Sequence, residues 1–407
     1  MGFYKIPIAG ADWGSEEVRL VLAALLGARG AGTKQRAELA EFISRKFGRA
    51  PILVNSARNG LEVVLRHVAQ NRPESSRCEV LVPSLICKTV PDKVLRAGLK
   101  LRFVDVGSDM SPRAADFVRV LSPSVAAVIF PYLYGKVVDI APLTEACKAR
   151  GIPLIEDCAA SFLLSNPQGA LTGRGGDYAI FSFSVGKTLV AGAGGALLNH
   201  TAETFDAPQA WSTQEEHALA RGKVGWLLQY AWKRWGYALQ RLGVDLGPKY
   251  HLKTLEDYRS ISLLDSRLVM TQLGKWERIR KEKQRVLAQY RKNFAAASGI
   301  ELPQLRSGDY VNRLFASFPE RRVVPDEAGK ESAVVRFLKG KGIQTQYAYM
   351  PAHRRKQFAQ FAEGDFPMSE RLHRGSVEVP SQGRLTPSEI DFVCECLFQA
   401  ARLPDEA

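Results

Sequence analysis

The chain has 407 residues, 46% of them hydrophobic and 24% charged, which is ordinary for a globular protein with a substantial core. The formal net charge of +14 favours anionic partners such as nucleotides, phosphosugars, nucleic acid or an acidic membrane face, although a plain solvated basic surface explains it equally well. Neither a secretory signal nor an apolar run long enough to cross a bilayer is visible, so we expect a cytoplasmic protein.

Cysteine usage argues against two other classes of protein. The six cysteines are scattered, with no CxxC pair and no histidine at zinc-ligand spacing. Only Cys394 and Cys396 lie close together, as a CxC. The pattern predicts reduced thiols, with neither a disulfide framework nor a metal site.

Short apolar runs alternate with helical patterns between residues 50 and 200. The apolar runs predict strands at 79–82, 101–106, 125–130, 152–157, 178–183 and 195–198. Helical spacing of apolar residues predicts helices at 60–70 and 141–151. This alternation is typical of a mostly parallel sheet covered by helices, which binds ligands at the carboxyl ends of its strands.

The C-terminal part has a different pattern. Residues 265–297 predict one long charged helix that leads out of the large domain. We therefore expect a large domain over residues 1–275 and a smaller α/β domain over residues 276–407. No repeat or low-complexity linker separates them, so the two parts are expected to pack together.

Three local patterns point to chemistry. The strand at 152–157 ends in Glu156 and Asp157, and the strand at 178–183 is followed by Lys187 in a glycine-rich stretch. Residues 54–66 place a small polar loop before a helix N-terminus, where free N–H groups favour phosphate. Lys187 is either a surface lysine on an ordinary turn or a buried amine kept for reaction. A lysine, a carboxylate and a phosphate turn are together the parts that a pyridoxal phosphate (PLP) site needs.

At these residues the sequence resembles the DegT/DnrJ-type sugar aminotransferases, PLP enzymes of the aspartate-aminotransferase fold (fold type I). The resemblance covers most of the chain. It is carried by residues 79–106, 130–161, 181–199, 342–353 and 379–391, of which the middle blocks are the most specific.

The resemblance implies roles for individual residues. Lys187 matches the catalytic lysine that binds PLP as an imine and moves the substrate proton, and Asp157 matches the carboxylate on the pyridine nitrogen. Ser182 matches a serine that binds the phosphate, and Ala57 and Arg58 match the phosphate-binding turn. A retained lysine argues against the dehydrating branch of the family, in which histidine takes its place.

Several positions depart from the family pattern. Arg58 stands where threonine or serine is usual, and its guanidinium suits a phosphate bidentately. Cys87 occupies the place of an aromatic residue that stacks on the cofactor ring, and Ala160 replaces a glutamine or histidine that contacts cofactor or substrate. Residues 258–261 read YRSI where the family has Asn-Tyr-Arg-Met, whose asparagine reaches the partner subunit's phosphate. His353 matches a histidine of the C-terminal block and is a candidate substrate-binding residue.

The resemblance implies transamination in two stages. An amino acid donor, usually glutamate, loads the cofactor, and the amine then passes to a ketone on a nucleotide-linked sugar. The expected product belongs to amino-sugar, surface glycan or natural-product biosynthesis. We expect a homodimer and small-molecule partners, with no nucleic acid.

An insertion at about 205–255 leaves alternatives open. Residues 223–243 place Leu228, Trp232, Trp235, Leu239 and Leu242 on one helical face, with Lys223, Lys233, Arg234 and Arg241 nearby. Such a helix either binds a membrane interface peripherally or packs against its own domain or a dimer partner. The first alternative function is a PLP enzyme acting on another, lipid-linked carbonyl. The second is a non-catalytic binding or regulatory protein, which the altered 258–261 pattern would suit.

Overall fold

A computed structural model describes the chain over residues 6–8, 12–26, 32–72, 74, 76–166, 168–210, 212–226, 258–295, 297–305, 310–326 and 329–404. These residues form one large, mostly parallel sheet flanked by helices and one small antiparallel sheet with helices of its own. The predicted fold class, a large helix-covered sheet with a smaller C-terminal α/β part, is confirmed.

The large sheet consists of β1 Ile52–Val54, β2 Glu79–Pro83, β3 Lys100–Val104, β4 Val125–Pro131, β5 Leu154–Asp157, β6 Tyr178–Ser182 and β7 Gly195–Asn199. Their order across the sheet is β1-β7-β6-β5-β4-β2-β3. Strands β2 to β6 run parallel to one another, and β7 is antiparallel to both β6 and β1. All six predicted strands are present. Strand β1 was not predicted, because three residues are too few to show a periodic pattern.

Helices cover the large sheet. They are α1 Ser15–Leu25, α2 Gly32–Phe47, α3 Ala57–Asn71, α4 Thr89–Arg96, α5 Ala114–Arg119, α6 Ala141–Ala149, α7 Thr213–Trp226 and α8 Leu263–Leu273. Helix α3 buries Leu61, Val64, Leu65 and Val68, the apolar positions that predicted it, and packs on β6 and β7. The sheet therefore holds the first turn of α3 close to the ends of β6 and β7.

The single long helix predicted over residues 265–297 is wrong. Helix α8 ends at Leu273, and α9 starts afresh as Trp276–Asn293. Gly274 between them is a poor helix former, and Lys275 leaves the helical region with φ of −107°. The Lys275 ammonium is held by the carboxylates of Glu16 and Glu17 on α1, at 2.9 and 2.8 Å. This tertiary contact fixes the break, which the charge pattern of the helix could not reveal.

The small sheet is built from the C-terminal part of the chain. Its strands are β8 Leu314–Ser317, β9 Gln346–Tyr347 and β10 Ser376–Val379, in the antiparallel order β8-β10-β9. The further helices are α10 Ala333–Gly340, α11 Pro367–Gly375 and α12 Pro387–Ala401. Helices α9 and α10 pack on α12, and their apolar faces form a core apart from that of the large sheet. A domain boundary at residue 275 stays a prediction.

The basic residue that opens the predicted amphipathic segment is buried. Lys223 on α7 is paired with Asp265 of α8 at 2.5 Å and donates to the carbonyl oxygen of Ala191 at 3.0 Å. It therefore does not belong to a solvent-facing basic surface. Residues 227–257, which include Trp232 and Trp235, lie outside the described residues, so membrane contact through 223–243 stays a prediction. No helix within the described ranges is both long and apolar enough to cross a bilayer.

Asp105 joins the large sheet to the C-terminal part. Its carboxylate follows β3 and accepts hydrogen bonds from the backbone N–H groups of Met368 and Ser369 in the first turn of α11, at 2.9 and 2.8 Å. Because a carboxylate there satisfies unpaired donors and the helix dipole, Asp105→Ala is expected to lower the free energy of unfolding by about 1–2 kcal/mol. Urea denaturation measures this loss. Glu363→Ala, at an exposed position, is the control and should leave the midpoint unchanged.

Candidate active site

A cavity of about 180 Å³ lies at the carboxyl ends of β5 and β6, against the N-terminus of α3. It brings together most of the residues that the sequence singled out. The lining includes Ala57, Arg58, Cys87, Asp157, Ser182 and Lys187. These residues come from distant parts of the chain, and the parallel strand order brings them to one edge, as in other open α/β sheets.

The first turn of α3 forms one wall of the cavity. Ser56 is its N-cap and accepts hydrogen bonds from the backbone N–H of Arg58 at 3.3 Å and from its Nε at 3.4 Å. Gly195 of β7 lies so close that a Cβ there would come within 2.3 Å of the Phe181 carbonyl oxygen and 3.0 Å of the Ala57 nitrogen. Only glycine allows this approach, which sets the helix N-terminus beside the end of β6.

Arg58 adds a cation to this helix N-terminus. Burial lowers its pKa, and no carboxylate among the described residues forms an ion pair with it. A buried guanidinium without a carboxylate partner is stabilised by an anionic ligand, and its planar donors suit a phosphate.

Asp157 and Lys187 form the charged centre of the cavity. Burial raises the pKa of Asp157, while the Lys187 charge and a hydrogen bond from the Ala159 N–H at 3.1 Å oppose the rise. Burial lowers the pKa of Lys187; Asp157 counteracts this, and Arg313 and Arg58 add to it. The amine is thus easier to deprotonate than an ordinary lysine, which is the condition for a lysine nucleophile.

The carboxylate next to Asp157 has a different role. Successive side chains on a strand point to opposite faces, so Glu156 turns away from the cavity. Its carboxylate accepts hydrogen bonds from the Tyr132 hydroxyl at 2.7 Å and from the N–H groups of Gly173, Gly175 and Gly176 at 2.9, 2.7 and 2.7 Å. Glu156 therefore fixes the end of β5, while Asp157 faces the cavity.

Two smaller polar side chains complete the cavity. The Ser182 hydroxyl lies 3.0 Å from that of Ser184, and both residues line the cavity with Lys187. The Cys87 sulfur lies 3.2 Å from the Thr89 hydroxyl at the start of α4. Cys87 therefore lies on the wall of the cavity, and its contact with a coenzyme ring stays a prediction.

Two predicted site residues lie elsewhere. Ala160 does not line the cavity; its carbonyl oxygen faces Gly135, where an added Cβ would approach it to 2.7 Å. The His353 ring is held on both sides, with Nδ1 2.6 Å from the Ser84 hydroxyl and Nε2 3.0 Å from the Glu370 carboxylate. Contacts of Ala160 with the cofactor and of His353 with substrate stay predictions.

Lys187 also lines a second cavity, of about 90 Å³, whose residues the sequence did not single out. Among them is Arg313, which pairs with Glu378 and lies over the rings of Tyr134 and Tyr349, at 5.3 and 5.5 Å from their centroids. Although burial lowers the pKa of Arg313, Glu378 keeps it above its ordinary value. In the sequence, Arg313 is a single basic residue within VNRLF. A cation after a short polar stretch is too common a pattern to identify a functional residue.

The loop that follows Lys187 is anchored at its far end. The Trp13 indole N–H donates to the Val190 carbonyl oxygen at 2.7 Å, and the Val190 N–H donates to the Gln272 side chain at 2.9 Å. Lys223 holds the next carbonyl, that of Ala191. Trp13, Gln272 and Lys223 are therefore supporting residues of the site that lie in distant segments and carry no motif.

No cluster of metal-ligating side chains occurs within the part of the chain that the structure describes. A mostly parallel sheet with a half-buried lysine and carboxylate at its carboxyl edge is the arrangement of a PLP-dependent aminotransferase of fold type I. The chain belongs to the DegT/DnrJ/EryC1/StrS aminotransferase family, which matches it over residues 16–398.

Individual relatives agree with this assignment. The GDP-perosamine synthase of Vibrio cholerae is 23% identical over 324 residues, which cover 78% of each chain. Among solved structures, Helicobacter pylori PseC, an aminotransferase involved in pseudaminic acid biosynthesis, superposes with a TM-score of 0.73 at 14% identity, covering 97% of this chain and 98% of that one. Spr1654 from Streptococcus pneumoniae, in its PLP form, has a TM-score of 0.72 at 18% identity, covering 98% of this chain and 99% of that one. At these identities the superpositions establish the shared fold.

Proposed function

We propose that this chain moves an amino group from an amino acid, glutamate in the first instance, to a keto group of a nucleotide-linked sugar, using PLP. The observation that carries the proposal is the half-buried Lys187, whose amine lies with Asp157 on the wall of a cavity at a helix N-terminus. This arrangement favours an enzyme over the binding-protein alternative, because a binding protein has no need of a desolvated amine with a lowered pKa.

The cavity residues suit PLP by their chemistry. Lys187 would bind the coenzyme aldehyde covalently, and Asp157 would face the ring nitrogen. Ser182, the Ala57 backbone N–H and Arg58 would hold the phosphate, and Cys87 would lie against the ring. When bound, PLP supplies an electron sink for the carbanion that forms at the substrate α-carbon.

The protein's own contribution is to hold and move protons. Because burial lowers the pKa of Lys187, its amine is easier to deprotonate and can serve as the base that takes the proton from the donor α-carbon. Burial makes ionised Asp157 unfavourable by itself, so a cationic ring nitrogen beside it would be attracted strongly. Lys187 would thus serve the reacting carbon, and Asp157 would serve the ring nitrogen.

The substrate class rests on the relatives and on charge. The Vibrio cholerae relative is named for a GDP-linked sugar. A net charge of +14 attracts a nucleotide diphosphate and speeds its encounter with the protein. We further propose a homodimer, the arrangement that the family resemblance implies, with the domain division at residue 275.

The cysteine at the ring position gives a direct test of coenzyme binding. Saturating PLP is expected to slow alkylation of Cys87 by iodoacetamide at least about tenfold, because the bound ring covers the thiol. Peptide mapping by mass spectrometry measures the rate. Cys78 is half-buried like Cys87 but lies outside the cavity, so its rate should not change. Equal alkylation of Cys87 with and without PLP would contradict the placement.

The reaction itself is tested with purified protein saturated with PLP. The visible absorption of lysine-bound PLP should disappear on adding glutamate and return on adding a nucleotide-linked keto sugar, whose mass should change to that of the amine. The same keto sugar without its nucleotide is the matched control and should react poorly. If no amino acid in a donor panel changes the absorption, the proposed function is wrong.

A further inference from the structure

Asn312, which precedes β8, lies between two segments of the active site. Its side-chain amide donates to the carbonyl oxygen of Gly186, the residue before Lys187. Its backbone N–H donates to the carbonyl oxygen of Tyr134 at 2.8 Å, and its own carbonyl accepts from the Lys283 ammonium at 2.8 Å. Asn312 thereby connects the small sheet to the backbone that carries the reactive amine.

The orientation of the Gly186 carbonyl directly affects the backbone at Lys187. The Gly186 carbonyl and the Lys187 nitrogen belong to one rigid peptide plane. Fixing the direction of the carbonyl therefore fixes the orientation of the peptide group from which Lys187 continues. Gly186 has φ of +71°, a left-handed conformation with few steric restraints for glycine. A glycine there permits many orientations, and the Asn312 hydrogen bond selects one.

Asn312 is itself held firmly. An added Cβ on Gly135 would come within 2.7 Å of the Asn312 Cβ, so these two backbones are in close contact. Lys283 also donates to the carbonyl and hydroxyl oxygens of Ser381, at 2.5 and 2.8 Å. Burial lowers the pKa of Lys283 to about 7. The Asn312 and Ser381 oxygens to which it donates are neutral, so they can accept hydrogen bonds from the amine in either protonation state.

We propose that Asn312 is a positioning residue that sets the direction of the Lys187 side chain through the Gly186 carbonyl, with Lys283 as its support. The inference rests on the proposed function for its chemical meaning. The far end of the loop has its own anchors at Val190 and Ala191, so the Asn312 contact governs the end at which the amine emerges. Asn312 does not act on substrate directly.

The test uses Asn312→Asp, which keeps the shape of the side chain and removes its N–H donors. In the full chain without coenzyme, hydrogen exchange in peptides covering residues 184–190 is expected to become about tenfold faster, because a local restraint is lost. Peptides with the anchored residues 191–194 should exchange as before. Asn293→Asp is the matched control, since Asn293 at the end of α9 donates its amide hydrogen bond to Asp391 of α12 and lines neither cavity.

With PLP bound, the variant gives a second readout. The kcat for the glutamate half-reaction is expected to fall at least about tenfold, because small misplacements of a reacting group slow proton transfer, while KM changes by less than about twofold. The pH midpoint of the visible absorption of lysine-bound PLP should also move. A merely destabilised protein would show neither the kcat effect nor the shifted midpoint at temperatures where it is folded.

Lys283→Met tests the support separately. It should change both readouts in the same direction, and the double variant should show no more than the larger single effect, because both residues act through one carbonyl. Wild-type exchange and kcat in Asn312→Asp would overturn the inference. If wild-type protein forms no lysine-bound PLP, the proposed function fails, yet the exchange experiment still decides whether Asn312 holds the loop.

Discussion

Lys187→Ala is expected to abolish covalent PLP attachment and to lower transamination at least about 10⁴-fold. In the proposed function the variant removes both the nucleophile for the coenzyme and the base for the substrate proton, and each role contributes strongly. The fold should survive, because the alanine leaves the backbone anchors at Val190 and Ala191 in place.

The measurement combines visible absorption, activity and peptide mapping after borohydride reduction. Reduction should trap PLP on the peptide that contains Lys187 in the wild-type chain and on no peptide in the variant. Lys148→Ala, on an exposed turn of α6, is the control and should behave as wild type. Trapping on Lys283, a buried amine near the site, would overturn the assignment.

Asp157→Asn is expected to lower kcat about 10²- to 10³-fold with PLP still bound. The amide keeps the size of the side chain and its acceptor for the Ala159 N–H, but it cannot balance a positive ring nitrogen. The loss corresponds to one preorganised charge in a site that excludes water. Single-turnover kinetics with glutamate measures it.

In the coenzyme-free chain, Asp157→Asn should leave thermal stability unchanged or raise it, although it lowers kcat. Burial raises the pKa of Asp157 above its unfolded value, so the folded state binds the extra proton more readily, and stability falls as pH rises through that window. Near neutral pH, Asp157→Asn should therefore unfold at a temperature equal to or above that of wild type. Asp116→Asn, at a surface ion pair with Arg113 and Arg119, is the control and should change neither kcat nor stability measurably. A variant that is less stable than wild type at pH 7 and regains stability at lower pH would contradict the sign.

The coenzyme cavity could be predicted largely from local sequence. Asp157 and Ser182 end apolar runs, Lys187 follows such a run, and Arg58 opens a helix. In a parallel sheet, residues at strand ends meet at one edge wherever the strands lie in the chain. The position of these groups follows from the strand pattern itself, and the family resemblance added their roles.

Other parts of the site could not be predicted, because they depend on contacts between distant segments. Asn312 and Lys283 sit in segments without a motif, and only packing of the small sheet against the Lys187 loop gives them partners. The sequence pattern groups Lys223 with the basic residues of an amphipathic helix. In the structure it is buried and paired with Asp265 of α8. A charged residue in a sequence does not show whether the folded chain provides an oppositely charged partner for it.

The sequence by itself predicted the strand-and-helix alternation and the class of chemistry, and it singled out Lys187 as the candidate reacting amine. These follow from short-range periodicity and from residue types at strand ends, which are local properties of the chain. Only the tertiary structure decided where the helix breaks at Gly274, which carboxylate of the Glu156–Asp157 pair faces the cavity and what holds the Gly186 carbonyl. Those outcomes are set by packing and hydrogen bonding between segments far apart in the chain, where many different sequences satisfy the same geometry.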